Sequence, residues 1–504
     1  MKLYLKNHHY QYAIQNMAHI FYPEESVAFV DYSVTQSNGD IAVNSVLKDE
    51  QHQVEAFTEV YDCKVKASAS VARKYDTKHI KDTHQYHRLC REVVTLSFYR
   101  AAKKIRKANT PWGILMGIRP TKIVHELMAD GKSDREIIDI LTNRYAVSDE
   151  KKQLVLQVAH HERNILRQLH PNSAGLYIGI PFCPTRCIYC SFVSNAVYRA
   201  QQYIQPYLDA LVKEIRYTQK IIGHMGWHIP CIYIGGGTPT VLSPLQLEKL
   251  LDAVYTQLDR QGIKEFTVEA GRPDTIDTER LKVLKKYNVT RLSINPQTMN
   301  RSTLKKIGRL HTPEDIVRAF ALARDLGFNN INMDVIVGLP DETVDMYKHT
   351  LAEIQKLDPE NITVHTMSIK RGSRLNEKKG AYVLSQGHTV REMLAYTQQF
   401  MRQNCKSPYY LYRQKNMLGN LENVGYCKAG QESIYNIQIM EEQHTIVGMG
   451  CGAVTKMVDT RKNHIDRIFN VKEVSDYIGR IDEMIQRKDK IYDYFGVKRR
   501  GEHE

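Results

Sequence analysis

Apolar residues in the second half of the chain fall into short runs, each followed by a longer amphipathic stretch. The amphipathic stretches predict helices with recognisable starts, such as Ser243-Pro244 and Thr312-Pro313, where proline occupies the first helical position. Strands that alternate with helices in this way predict a parallel sheet built from βα units, and thus the α/β fold class. The predicted strands are residues 176–180, 231–234, 264–269, 291–294, 331–337 and 362–367.

The N-terminal third has a different pattern. A helical stretch around residues 10–21 precedes two β-rich runs, 26–32 and 41–47, and the Asn38-Gly39 pair between these runs predicts a β-hairpin. The chain then turns helical, with the capping box Ser133-Asp-Arg-Glu136 at the start of one helix. We therefore predict three domains: an α+β N-terminal region at 1–170, a barrel at 171–370 and a smaller C-terminal domain at 371–504.

Three cysteines, Cys183, Cys187 and Cys190, follow the first predicted barrel strand with the spacing C-x3-C-x2-C. Thiolates this close in sequence can face one metal centre from a single loop. An iron–sulfur cluster normally takes four cysteine ligands, so three would leave one iron open for chemistry, as a catalytic zinc site keeps one position free. Ordinary loop cysteines and zinc ligands are the alternative interpretations of the spacing alone.

Polar residues also follow the next predicted strands. Gly235-Gly-Gly-Thr-Pro-Thr240 follows the second strand, where glycines let a ligand approach the backbone; a plain strand-to-helix turn is the alternative. Glu269 ends the third strand, Gln297 follows the fourth, and Asp334 lies inside the apolar run of the fifth. A buried acid is unfavourable unless it is paired or bound to a ligand, so a buried salt bridge is the alternative for each acid. We expect these residues to meet at the carboxyl ends of the strands, where barrels of this kind carry their chemistry.

The composition of the chain bears on the compartment in which the protein works and on the classes of partner it could bind. The chain has 504 residues, a net charge of +14 and nine cysteines, and the six outside the motif are scattered. That fits a reducing cytoplasm better than a disulfide framework. We expect a cytoplasmic protein without a membrane partner, because neither a signal peptide nor a membrane-spanning stretch is evident. Positive charge suits RNA or a small polycarboxylate equally.

The cysteine motif, with Tyr189 before its last cysteine, resembles the signature of radical S-adenosylmethionine (SAM) enzymes. The six predicted strands suit the partial (β/α)6 barrel of that family. Residues 291–294, 304–311 and 337–340 extend the resemblance to the oxygen-independent coproporphyrinogen III oxidases and their relatives, and residues 412–426 resemble the HemZ subgroup of that branch. The resemblance implies bound SAM and a [4Fe-4S] cluster held by Cys183, Cys187 and Cys190.

The same resemblance assigns contacts to SAM, but no catalytic residue beyond the cluster and SAM. The implied SAM contacts are Tyr177, Tyr189, Gly236, Gly237, Thr238, Glu269, Gln297, Arg309, Asp334, Met367 and Val454. Near the predicted barrel mouth, Lys370, Arg371 and Arg374 are candidates to bind substrate carboxylates. The two arginines are favoured because a guanidinium group binds a carboxylate through two parallel hydrogen bonds.

By this resemblance, the protein converts two propionates of coproporphyrinogen III to vinyl groups by oxidative decarboxylation without oxygen, which yields protoporphyrinogen IX in haem biosynthesis. A 5′-deoxyadenosyl radical would remove the propionate β-hydrogen, and an electron donor for the cluster is implied.

One departure from the bacterial oxidases is Phe192, which stands where they carry a fourth cysteine. Haem chaperones of the branch also lack that cysteine, so chaperone activity is an alternative, although their His-Asn and Tyr-Trp signature has no match here. Action on another tetrapyrrole or on RNA is a third hypothesis. The first 170 residues carry no recognisable RNA-binding motif, so we expect no nucleic-acid partner.

Overall fold

The computed structural model describes residues 1–33, 40–76, 83–108, 110–117, 119–192, 194–255, 258, 262–370, 372–377, 382, 385–414, 417–462 and 464–498. The chain forms two compact units, residues 1–156 and 157–504. Each unit has its own main sheet. Within the described residues, no helix is both long enough and apolar enough to cross a membrane.

The first unit is an α+β structure with a five-stranded sheet. Its capping box forms as predicted, since the Ser133 side chain accepts from the Glu136 backbone and the Glu136 carboxylate accepts from the Ser133 backbone. The elements in this part of the chain are β1 (Lys2–Lys6), α1 (Gln11–Phe21), β2 (Ala28–Val30), β3 (Ala42–Glu50), β4 (Gln53–Asp62), β5 (Val65–Lys74), α2 (Thr83–Ile105), α3 (Thr121–Ala129), α4 (Asp134–Asn143) and α5 (Asp149–Leu166), which spans the boundary between the units.

The predicted hairpin between residues 26–32 and 41–47 is wrong. The sheet order is β2-β1-β3-β4-β5, and β1, which the sequence pattern did not predict, pairs in parallel with both β2 and β3. The Asn38-Gly39 pair lies outside the described residues. The hairpin that does form joins β3 to β4 through Gln51 and His52, whose φ angles of 52° and 62° are those of a two-residue hairpin turn.

The second unit carries an eleven-stranded sheet. Its elements are β6 (Ala174–Ile180), β7 (Phe182–Cys183), β8 (Asn195–Ala196), α6 (Val197–Met225), β9 (Cys231–Gly236), α7 (Pro244–Tyr255), β10 (Glu265–Glu269), α8 (Thr278–Lys286), β11 (Arg291–Ser293), α9 (Arg301–Lys306), α10 (Pro313–Asp325), β12 (Ile331–Val337), α11 (Val344–Leu357), β13 (Asn361–Thr366), α12 (Arg374–Glu377), α13 (Gly387–Gln403), β14 (Ser407–Tyr412), β15 (Asn423–Cys427), α14 (Ile434–Glu441), β16 (Thr445–Met449), β17 (Val454–Asp459), β18 (His464–Phe469), α15 (Val474–Gly479), α16 (Ile481–Arg487) and α17 (Lys490–Phe495).

Six neighbouring strands form the centre of this sheet. β6, β9, β10, β11, β12 and β13 are parallel and stand side by side in chain order, which confirms the α/β fold class and the partial (β/α)6 barrel. β16 continues the sheet in parallel beside β6, and β15 continues it antiparallel beside β13. Strands from residues 371–504 therefore extend the barrel sheet at both edges.

A buried ion pair holds the turn after β16 against α6. Lys488 Nζ lies 3.1 Å from Glu214 Oε1, the two side chains are 1% and 0% exposed, and Glu214 also accepts from Gly450 N. Loss of one charge leaves the other buried and unpaired, so we expect Lys488→Met to lower the free energy of unfolding by about 3–5 kcal/mol.

Denaturant unfolding measures this effect. Lys282→Met is the matched control, because Lys282 forms an exposed pair with Glu279; it should change the free energy of unfolding by about 0.5 kcal/mol or less. Equal stability of the two variants would contradict the structural role of the Lys488–Glu214 pair.

Candidate functional site

A cavity of about 300 Å³ opens where the parallel strands end. Every strand from β6 to β13 in the parallel set contributes to its wall, either directly or through the residues that follow it. The topology thereby brings together side chains that are far apart in sequence. Predicted site residues that line the cavity are Cys183, Cys187, Cys190, Tyr189, Gly236, Gly237, Thr238, Glu269, Gln297, Arg309, Asp334 and Met367.

The glycine segment after β9 docks onto the start of the cysteine loop. Gly237 N donates to Ile180 O at 2.8 Å and Thr238 N donates to Phe182 O at 2.7 Å. A Cβ at Gly237 would lie 2.4 Å from Phe182 O, so only glycine fits this approach. Thr238 Oγ1 also lies 3.6 Å from Cys183 Sγ. The glycine segment therefore supports the first cysteine as well as lining the cavity.

The thiols of Cys183 and Cys190 are largely buried from solvent. Burial raises the pKa of Cys183, and it raises the pKa of Cys190 to about 11. Thiolates are the metal-binding form, so metal binding here has to displace protons.

Two carboxylates of the cavity wall have different charge states. Burial raises the pKa of Glu269 to about 7, although the Tyr233 hydroxyl, which donates to Glu269 Oε1 at 2.6 Å, partly offsets that effect. Burial would also raise the pKa of Asp334. There, hydrogen bonding and charge from His365, together with the Asn332 amide, outweigh burial and leave that pKa below its ordinary value. Asp334 is therefore ionised at neutral pH, whereas Glu269 is near its midpoint.

Gln297 and Arg309 line the cavity, and each carries a buried polar atom without a hydrogen-bond partner among the described residues. Gln297 has a φ of 67°, a left-handed conformation unusual for its residue type, and backbone hydrogen bonds to β12 hold it there. No described residue offers a hydrogen-bond partner to Gln297 Oε1 or Arg309 Nε. Arg309 does donate through Nη1 to the carbonyls of Gly271 and Asn295. Unpaired buried polar atoms are uncommon in native structures, and both of these residues belong to the cavity wall.

Other predicted site residues lie elsewhere. Tyr177, on β6, stacks on Tyr233, and its hydroxyl would lie 3.3 Å from a Cβ at Gly236. Val454 begins β17 and is not among the described residues that line the cavity. Arg374 is exposed on α12 and does not belong to the described cavity wall either, and Arg371 lies outside the described residues. Lys370 does line the cavity.

Arg272 and His365 were not predicted as site residues, yet they line the cavity together with Tyr412. Arg272 follows β10, His365 lies in β13, and Tyr412 ends β14. His365 Nε2 lies 3.6 Å from Asp334 Oδ2, and its Nδ1 is 3.2 Å from the Tyr412 hydroxyl. A polar residue at or near the end of a predicted barrel strand was the available signal for Arg272 and His365. Tyr412 begins the segment 412–426 that resembles the HemZ subgroup, and β14 brings it into the cavity wall.

Comparison with known proteins agrees with this geometry. A model of the radical SAM superfamily matches residues 177–354. The chain is 37% identical over 499 residues to the oxygen-independent coproporphyrinogen-III oxidase-like protein HemZ of Bacillus subtilis, with 97% of each chain covered. It is 34% identical over 310 residues to the heme chaperone HemW of Bacillus subtilis, with 61% of this chain and 76% of that protein covered.

Among solved structures, coproporphyrinogen III oxidase (HemN) from Escherichia coli has a similar fold. It matches with a TM-score of 0.51 at 23% identity, and the match covers 65% of this chain and 73% of that one. At this identity the match concerns the fold alone. The extent of the HemZ match, together with the superfamily match across the barrel, places the chain in a family. It belongs to the radical SAM superfamily, in the branch that contains the oxygen-independent coproporphyrinogen III oxidases and the HemZ-like proteins.

Proposed function

We propose that Cys183, Cys187 and Cys190 hold a [4Fe-4S] cluster and that SAM binds beside it in the same cavity. The observation that carries this proposal is that the three cysteines line one cavity together with Glu269, Gln297 and Arg309. SAM has a cationic amino group, a carboxylate and ribose hydroxyls. A carboxylate side chain can bind the amino group, and a guanidinium group can bind the SAM carboxylate. Amide and carboxylate oxygens can accept hydrogen bonds from the ribose hydroxyls.

Each proposed SAM partner has support from this chain. Glu269 is a buried acid that accepts from the Tyr233 hydroxyl and from the Gly236 backbone, and a carboxylate has further acceptor sites for an ammonium group. Arg309 is buried and cationic, which suits a carboxylate. The glycine segment exposes backbone without side chains, and Tyr189 and Met367 supply apolar surface for the nucleoside. The residues present therefore fit the cofactor.

We propose that the substrate is coproporphyrinogen III, a small-molecule tetrapyrrole, and that the protein is a radical SAM oxidoreductase. When bound, the cluster and SAM supply a 5′-deoxyadenosyl radical that takes hydrogen from the substrate. Each of two propionates loses a β-hydrogen atom to the 5′-deoxyadenosyl radical, releases carbon dioxide, passes one electron to an external electron acceptor, and becomes a vinyl group. The printed name of the HemZ relative, an oxygen-independent coproporphyrinogen-III oxidase-like protein, supports this substrate. The chain's own residues bind and orient the propionate and keep water from the reaction.

Lys370 is the cation of the cavity best suited to a propionate. It is half-buried, its Nζ donates to Gln414 Oε1, and burial alone lowers its pKa. Among the residues that the structure describes, no carboxylate pairs with Lys370. Arg272 and Arg309, by contrast, are engaged with Asp274 and with backbone carbonyls. A bound carboxylate would therefore meet an uncompensated charge at Lys370.

We expect Lys370→Gln to weaken coproporphyrinogen III binding about tenfold or more and to leave SAM cleavage intact. A charge-assisted hydrogen bond contributes about 1.5–3 kcal/mol, and about 1.4 kcal/mol corresponds to a factor of ten. Anaerobic equilibrium binding checks this result. Arg374→Gln tests the sequence-based prediction in parallel, and we expect a smaller loss because Arg374 is exposed and outside the described cavity wall. If Arg374→Gln loses more affinity for coproporphyrinogen III than Lys370→Gln, the result would favour Arg374 over Lys370 as the residue that binds the carboxylate.

A haem-binding chaperone is the second candidate function. The similarity to heme chaperone HemW supports it, and so does Phe192, which is 68% exposed at the cavity mouth where the bacterial oxidases carry a fourth cysteine. One anaerobic incubation separates the two functions: reconstituted protein with SAM, a reductant and coproporphyrinogen III. Harderoporphyrinogen or protoporphyrinogen as product supports the oxidase. Stoichiometric haem capture without turnover supports the chaperone, and uncoupled SAM cleavage alone indicates another substrate.

A further inference from the structure

A buried arginine that the sequence did not single out lies against the cysteine loop. The Arg272 side chain is 3% exposed, and its Nη1 lies 4.0 Å from Cys187 Sγ. Nη1 and Nη2 each donate to Thr185 Oγ1 at 3.0 Å. On its other side, Nε lies 3.2 Å from Asp274 Oδ1. Arg272 is thus a cation held beside the middle cysteine of the motif.

The backbone around Arg272 explains why the guanidinium stays in place. Pro273 follows and favours the extended conformation that Arg272 adopts, with φ −131° and ψ 111°. Thr275 N then donates to Arg272 O at 2.9 Å and closes the short helical turn that follows. Thr185 Oγ1, which accepts from Arg272, itself donates to Gly308 O at 2.9 Å. A chain of hydrogen bonds therefore runs from the loop after β10, through the cysteine loop, to the end of α9.

The two charged side chains of the ion pair beside Cys187, Arg272 and Asp274, differ in how deeply they are buried. Arg272 is almost completely buried, whereas its partner Asp274 is 30% exposed and is better screened by water. The field of this ion pair at the Cys187 sulfur is therefore positive, and Arg309, which also interacts with Cys187, adds to it. Reduction adds an electron to an iron–sulfur cluster, and a nearby positive charge stabilises the more negative state. Hydrogen bonds and charge near cluster sulfurs are established determinants of reduction potential.

We propose that Arg272 is a positioning residue that fixes the Cys187 segment and raises the reduction potential of the cluster. Asp274 partly offsets that effect by lying beside the guanidinium. This inference rests on the proposed cluster at Cys183, Cys187 and Cys190. The proposal adds that the reduction potential of the cluster depends on the ion pair between Arg272, which lines the cavity, and Asp274.

The test is the midpoint potential of the full-length reconstituted protein without SAM or substrate, followed by electron paramagnetic resonance during a redox titration. We expect Arg272→Gln to shift the potential to more negative values and Asp274→Asn to shift it to more positive values. Arg280→Gln is the matched control, because Arg280 pairs with Asp277 and donates to Leu242 O outside the described cavity wall. It should leave the potential unchanged. A merely structural ion pair would not give shifts of opposite sign.

Arg272→Lys separates charge from geometry. Lysine keeps the charge but cannot supply the paired donors of a guanidinium, so we expect a potential near that of the wild type and faster loss of iron to a chelator. An Arg272→Gln potential equal to that of the wild type overturns the proposal. So does a negative shift in Asp274→Asn, or an Arg272→Lys shift as large as that of Arg272→Gln. If Arg272→Gln does not retain its cluster, the midpoint potentials of Asp274→Asn and Arg272→Lys test the proposal instead. A wild-type protein that forms no [4Fe-4S] cluster refutes the proposed function itself, which is a different result.

Discussion

Cys187→Ser is expected to lose the bound iron and the SAM-dependent activity together. A serine hydroxyl does not ionise in the range where a thiol does, so it cannot replace a thiolate that binds iron. Cys187 is buried in the wall of the cavity, and Cys183 and Cys190 are the other cysteines of that wall among the described residues. We expect iron and labile sulfide to fall to background after anaerobic reconstitution, and SAM-derived 5′-deoxyadenosine to fall below detection.

Cys405→Ser is the matched control, because Cys405 is exposed and does not belong to the described cavity wall. It should reconstitute as the wild type does. Full iron content and normal SAM cleavage in Cys187→Ser would show that the cluster is held elsewhere. Loss of iron in Cys405→Ser would show that the assay reports general damage and not the removal of a ligand.

SAM affinity is expected to rise as the pH increases through about 7. Burial raises the pKa of Glu269 to that value, and only the ionised carboxylate attracts the cationic amino group. Protonation below pH 7 therefore weakens binding. Glu269→Gln should bind SAM about tenfold or more weakly at about pH 8 and should lose the pH dependence, since a neutral amide replaces the charge-assisted hydrogen bond.

Anaerobic titration calorimetry between about pH 6 and about pH 8 measures both effects on cluster-loaded protein. Glu279→Gln, which changes an exposed carboxylate on α8, is the control and should retain the wild-type profile. An unchanged pH profile in Glu269→Gln would assign the titration to another group. Tighter binding at low pH in the wild type would contradict the proposed role of Glu269.

The barrel was predictable because buried parallel strands form short, mostly apolar runs. The runs at 176–180 and 331–337 stand out from the amphipathic helices around them, and both became strands of the central sheet. Once the strands are parallel, their carboxyl ends meet, so the grouping of Glu269, Gln297 and Asp334 followed from chain order. The hairpin failed for the opposite reason. The turn signal at Asn38-Gly39 is local and could not indicate that β1 pairs between β2 and β3. The turn that does form, at residues 51–52, contains no glycine.

Side-chain direction was beyond the sequence. In the run from Lys370 to Arg374, chemistry favours arginine for a carboxylate, yet Lys370 faces the cavity and Arg374 is exposed. Which cation points inward depends on how the segment after β13 packs against the cysteine loop, where Leu375 N donates to Ile188 O. Arg272 was missed for a similar reason, because its importance comes from its contact with Thr185 and Cys187, which are distant in sequence.

The most direct test of the proposed chemistry follows the hydrogen atom. Coproporphyrinogen III deuterated at the propionate β-carbons is incubated anaerobically with the reconstituted protein, SAM and a reductant, and 5′-deoxyadenosine is analysed by mass spectrometry. We expect deuterium in 5′-deoxyadenosine together with vinyl groups on the tetrapyrrole. Unlabelled 5′-deoxyadenosine and unchanged coproporphyrinogen III would contradict the proposal that this cavity removes hydrogen from a propionate.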